Sequence, residues 1–119
     1  MDKFKLISSI SSARNVKKVD LSEFATEGLD DLYIRKLSAA ERSTLIEMWK
    51  VETGMEPIYR FTLPAALTDA EGRKIFDDPE ADGKAIVNEW PCDLVDGLTN
   101  QILKFSGIIK EDAEQAEKN

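Results

Sequence analysis

With 119 residues, 13.4 kDa, 42% hydrophobic and 33% charged residues, the chain has the size and apolar content of one folded domain, which argues against wholesale disorder. A net charge of −7 and a pI near 4.6 argue against a nucleic-acid partner, whose phosphates demand clustered Lys and Arg. No stretch approaches the ~18 apolar residues of a membrane span.

The charge is uneven: residues 1–20 carry five basic and two acidic side chains, a net +3, so the rest of the chain carries −10. Within residues 1–15, Phe4, Leu6, Ile7 and Ile10 alternate with serines, and Phe4, Ile7 and Ile10 share one helical face, as in a short amphipathic helix or an arm that orders on a partner. Residues 16–21 and 32–37, rich in Val, Ile and Tyr, predict a small antiparallel β pair. Ser38 and Glu41 have the spacing of a capping box, in which each side chain satisfies an orphaned donor of the first turn. The helix they start carries Leu45, Met48 and Trp49 as a core stripe widened by Ile46, and Gly54 is placed to end it near residue 53. Pro57 suits the first position of a second helix, to about residue 67, in which Pro64 should cause a bend or a break.

Thr68 and Glu71 have cap spacing too, but Gly72 follows at once, so residues 68–72 predict a turn and 74–76 an extended piece. Asp78 with Pro79 starts a third helix through Glu89, and Pro91 enforces a break after Trp90. From Cys92 onward Leu94, Leu98, Ile102 and Phe105 form a stripe that ends at Gly107, with Ile108 placed to fold back over the helix end. The fold class expected is therefore mainly α: one helical domain over residues 16–109 with a short N-terminal β pair. An arm or short helix, 1–15, precedes it, and a polar tail, 110–119, follows.

The lone Cys92 has no disulfide or zinc partner and reads as a small core residue of a protein in a reducing compartment. The chain has no His, and its six glycines stand apart, so neither imidazole catalysis nor a phosphate loop is available. No enzyme and no cofactor are expected. Asp78, Glu80, Asp82, Gly83 and Glu89 do fall at positions 1, 3, 5, 6 and 12 of a calcium loop. Pro79 stiffens the second position, however, and Ala85 stands where an apolar anchor belongs. The plainer reading is a solvated helix start with acids at its positive end; a calcium-responsive module is kept as a rival.

Several pieces in order resemble a known family. Tyr33, Ile34, Arg35, Lys36 and Leu37 leading into Ser38, Ala39, Ala40, Glu41 and Arg42 are similar to the strand and L-S-A-A-E-R helix start of the tail assembly chaperones of long-tailed phages. Tyr59 to Phe61 is similar to the segment after that family's first long helix. Leu67, Asp69, Gly72, Ile75 and Phe76 match its L-x-D-x-x-G-x-x-[LI]-F turn, and Phe105, Gly107, Ile108, Glu111 and Asp112 its close. Pro64 and Trp90 with Pro91 depart from the pattern, falling where members are smoothly helical.

The resemblance implies a protein absent from the finished virion that works in the host cell cytoplasm. It would bind the tape measure protein, assist recruitment of the tail tube protein and associate with itself. Apolar residues near the ends of the chain, Phe4, Ile7, Ile10, Ile108 and Ile109, are the candidate partner-binding residues. The family also implies a longer product made by programmed frameshift, which Glu117, Lys118 and Asn119 permit if their codons read A AAA AAY. Outside that family, an unrelated cytoplasmic regulator with one protein partner is the remaining reading.

Overall fold

Residues 2–12, 15–20, 32–51 and 54–109 are described by a computed structural model. In chain order they form α1 (Lys3–Ser12), β1 (Val16–Lys18), β2 (Tyr33–Arg35), α2 (Ala39–Lys50), α3 (Glu56–Ala66), β3 (Leu67–Thr68), α4 (Pro79–Glu89) and α5 (Cys92–Phe105). The expected tail, 110–119, lies outside the described residues, as do 21–31 between the first two strands.

The mainly helical class with N-terminal strands holds, but the sheet has three strands in the order β1-β2-β3, both pairings antiparallel. Ile34 at its centre faces Lys17 on one side and Leu67 on the other, and it is completely buried while Tyr33 and Arg35 are only half-buried. That is the period of two expected of a strand with one face on a core. Lys17 and Lys18, exposed on the outer strand, discourage further pairing at that edge.

The third strand replaces the helix end and turn expected at Leu67 and Thr68. Leu67 turns extended (φ −78°, ψ 127°) directly after α3, and a two-residue strand is too short to leave a periodic signal. The turn itself begins one residue later, where Asp69 Oδ1 accepts hydrogen bonds from the backbone of Glu71 and Arg73, both at 2.9 Å. Lys74 then bridges back to Thr68.

α3 also runs unbroken through Pro64. Proline has no N–H to offer the carbonyl of Arg60, four residues earlier. That carbonyl instead lies against α4 at Gly83, where an added Cβ would stand 2.4 Å from it. The closeness of α3 to α4 thus depends on a glycine at the crossing point.

The main core gathers Ile34, Leu63, Leu67, Ile86, Leu98 and Ile102 from the sheet, α3, α4 and α5, with the tilted pair Phe76 and Trp90, 6.4 Å apart, on its flank. A second cluster of Leu45, Ile58 and Leu103 seats α2. α5 ends in a Schellman cap: Gly107 (φ 76°) donates to Lys104 O at 3.0 Å and Ile108 to Leu103 O at 2.9 Å. Only glycine adopts that φ cheaply, and Ile108 folds back onto the second cluster as its position requires.

Two expected core residues are exposed. Cys92 is the first residue of α5, two residues ahead of Leu94 and so on the other side of the helix from it, and it is exposed. Trp49 is 38% exposed because α2 rests on the body along Leu45 and Met48, and its next residue turns outward.

Thr62 and Thr99 are fully buried, and neither hydroxyl has a hydrogen-bond partner among the described residues. Replacing Thr99 by its near-isostere Val removes that penalty and is expected to stabilise the fold by about 1 kcal/mol. The gain would be seen as a higher urea midpoint at an unchanged slope; a lower midpoint would mean the hydroxyl has a partner in solution. Among the described residues, no helix is long and apolar enough to cross a membrane.

Candidate protein-interaction site

Arg35 leaves β2 beside the start of α2, and its guanidinium joins three elements. Nη1 and Nη2 donate to the two oxygens of Glu41 at 2.9 and 2.6 Å, and Nε donates to Ala65 O, near the end of α3, at 2.9 Å. The capping box is complete as well: Ser38 N–H donates to Glu41 Oε1 at 2.8 Å and Glu41 N–H to Ser38 Oγ at 3.2 Å. Leu37 N–H reaches Ser106 Oγ at 2.9 Å, which ties the same segment to the end of α5. Burial by itself would raise the Glu41 pKa, but the Arg35 hydrogen bond, the Ser38 backbone N–H and the Arg35 charge together hold it below its ordinary 4.5.

Next to this joint lies a groove of about 360 Å³ between α2, α3 and the start of α4. Met48, Pro57, Phe61, Ala65 and Pro79 make it largely apolar, while Glu41, Arg60, Lys74 and Glu80 line its rim. Arg60 Nε sits 2.7 Å from Glu56 Oε1, one turn back on α3. The far wall of α3 is held by Tyr59, whose hydroxyl donates to Asp96 on α5 at 2.9 Å. Burial first, and then the Asp96 carboxylate, raise the Tyr59 pKa above its ordinary 10.0, so it remains a donor throughout the physiological range.

The segment that opens α4 is acidic, with Asp77, Asp78, Glu80 and Asp82 within six residues, and of these Glu80 lines the groove. Asp78 caps α4 by accepting from Ala81 N at 3.3 Å, and Asp82 Oδ2 accepts from Asp78 N at 3.2 Å. The spacing that suggested a calcium loop is wound into helix from Pro79 to Glu89. At 1.5 Å per residue its first and last acids, Asp78 and Glu89, stand about 16 Å apart, too far to share one ion.

Comparison with protein families, with curated proteins and with solved structures finds nothing that matches this chain.

Of the residues expected to bind a partner, Phe4 and Ile7 are exposed on α1, by 71% and 62%, with Leu6 beside them. Ile10 continues α1, but its side chain lies outside the described residues. Ile108 and Ile109 are half-buried against Leu45, Ile58 and Leu103, Ile108 folding back as the glycine before it predicts, so they offer a partner less surface than Phe4 and Ile7 do. α1 and the α5 end are therefore not equivalent surfaces.

Further exposed apolar residues, Val51, Met55 and Ile75, were not read as surface candidates from the sequence. Val51 and Met55 flank Gly54 in the α2–α3 connection, and apolar residues in a connection are the signal that was present. The groove left no such trace, because its walls come from three elements.

Proposed function

We propose that this chain is a tail assembly chaperone of a long-tailed phage, which binds the tape measure protein in the host cytoplasm and assists tube assembly without remaining in the virion. The observation that carries the reading is the ordered set of motifs from Tyr33 to Ile108, above all Arg35, Ser38 and Glu41 in the strand-to-helix block. In that block these residues have an architectural task, since they tie β2, α2 and α3 together. Such a joint is a reason for those residues to recur at fixed spacing. A chaperone of this kind also needs apolar surface for its client and acidic surface for solubility. Exposed Phe4, Ile7, Trp49, Val51 and Ile75 on a chain of net charge −7 have that character.

The test is coexpression with the tape measure protein of the same phage. A client that is insoluble alone is expected to become soluble and to copurify, and Val51→Asp with Ile75→Asp should reduce its recovery while leaving the domain folded. A client that stays insoluble beside the wild-type chain would sink the reading. Asp at Ile108 or Ile109 would be a poor probe, because it also strikes the α5 cap.

A further inference from the structure

We propose that the acidic segment 111–117 of this chain folds back onto a cationic patch at the end of α5, where Lys17 and Lys36 stand over Phe105. The inference is independent of the tail-chaperone reading; it follows from the patch, its charges and the place where the chain leaves α5.

Lys17 pairs with buried Ile34 across the sheet, and Lys36 stands two residues after Ile34, so both side chains leave the sheet on its core face. The Lys36 N–H continues the pairing by donating to Asn15 O at 2.8 Å. On that face the two lysines meet Phe105, the last residue of α5: Lys17 Nζ lies 5.8 Å and Lys36 Nζ 5.2 Å from its ring centroid. The ring attracts each cation, yet it also gathers two like charges, and among the described residues neither has a carboxylate within ion-pair distance. Both lysines are exposed, on a chain of net charge −7. The patch is thus a local positive potential on an acidic protein, and an anionic segment laid over it relieves the repulsion within it.

The chain supplies such a segment at the same end of the fold. Leu37 N–H donates to Ser106 Oγ at 2.9 Å, which fixes Lys36 beside the end of α5. Ile109 N–H donates to Leu103 O at 3.4 Å, which holds the departing chain over the last turn of that helix. Two residues later the first carboxylate appears, and from 111 to 117 every ionisable side chain is acidic: Glu111, Asp112, Glu114 and Glu117. At about 3.3 Å per extended residue those seven positions reach over about 23 Å, more than the span of a patch built around one ring. Tethered so near, the segment is presented at an effective concentration on the order of millimolar, enough for contacts too weak to hold a separate partner. The acidic opening of α4 on a second copy offers similar charge without that advantage, since it must first associate.

Paramagnetic relaxation on the full chain tests this. The exposed Cys92 is removed by Cys92→Ser and a nitroxide is attached at Gln115→Cys, within the segment; each variant is first shown to be folded by circular dichroism. The amides of Val16, Leu37 and Phe105 are expected to be strongly broadened at low salt. Lys17→Glu with Lys36→Glu should reduce that enhancement about threefold or more, and so should about 0.5 M salt with both lysines in place. Lys18→Glu, a change of the same kind on the opposite face of β1, should leave it nearly unchanged. Adding Glu111→Lys, Asp112→Lys, Glu114→Lys and Glu117→Lys to the Lys17→Glu, Lys36→Glu chain restores opposite signs and should bring the enhancement back. Enhancement that ignores both salt and the two lysines, that responds as strongly to Lys18→Glu, or that appears only between a labelled copy and an observed copy would overturn the proposal.

Discussion

Gly83→Ala is expected to destabilise the domain by about 3 kcal/mol, although the same change in an exposed helix stabilises by up to ~1 kcal/mol. The added Cβ would stand 2.4 Å from Arg60 O and 3.2 Å from its carbonyl carbon. Both are backbone atoms of α3 and cannot swing aside, so α3 and α4 must separate and open the core around Leu63 and Ile86. Urea unfolding reads the loss directly, and an unchanged or raised midpoint would mean that the two helices are not in close contact. Pro64 adds a second readout. Pro64→Ala returns an N–H that can draw the Arg60 carbonyl into the helix ladder, so the cost of Gly83→Ala should fall by about 1 kcal/mol in that background. Strict additivity of the two changes would show that the proline and the glycine are unrelated.

Arg35→Ala is expected to cost about 2–4 kcal/mol, more than a surface ion pair contributes, because both partners are largely buried, with side chains only 21% and 22% exposed. The variant strands the Glu41 carboxylate and removes the donor to Ala65 O. Its pH dependence distinguishes this from general loosening. Glu41 has a folded pKa below its unfolded 4.5, so its contribution to stability is fully present above the unfolded value and is lost as pH falls through the folded one. Without Arg35 its hydrogen bond, the largest influence holding that pKa down, is gone together with its charge. The difference in stability between wild type and variant should thus be greatest above about pH 5 and shrink under acid. A difference that stays constant from neutral to acid pH would contradict the assignment.

What the sequence determined by itself is what chemistry within four or five residues can decide. Ser38 and Glu41 cap α2 through bonds to each other's backbone, Asp78 and Pro79 open α4, Asp69 and Gly72 close a turn, and Gly107 with Ile108 finishes α5. Each partner in those bonds is a near neighbour in the chain, so spacing alone identifies it. The mainly helical class with N-terminal strands follows from such local signals and from the stripe of α5.

Tertiary structure decided the rest, because there the partners lie far apart in sequence. β3 exists because Leu67 pairs with Ile34, and α3 continues through Pro64 with Gly83 leaving room beside the Arg60 carbonyl. Arg35, placed in the sequence as part of a strand, acquires its role only when α2 and the end of α3 arrive on either side of it. Trp49 stands at a position that periodicity assigns to a core, and Cys92 is expected there as a lone small residue, yet both are exposed. The groove likewise exists only where Met48, Phe61 and Pro79, each unremarkable in its own helix, are brought to face the same space. Periodicity says which face of a helix is apolar; only packing decides how far along the helix that face is covered.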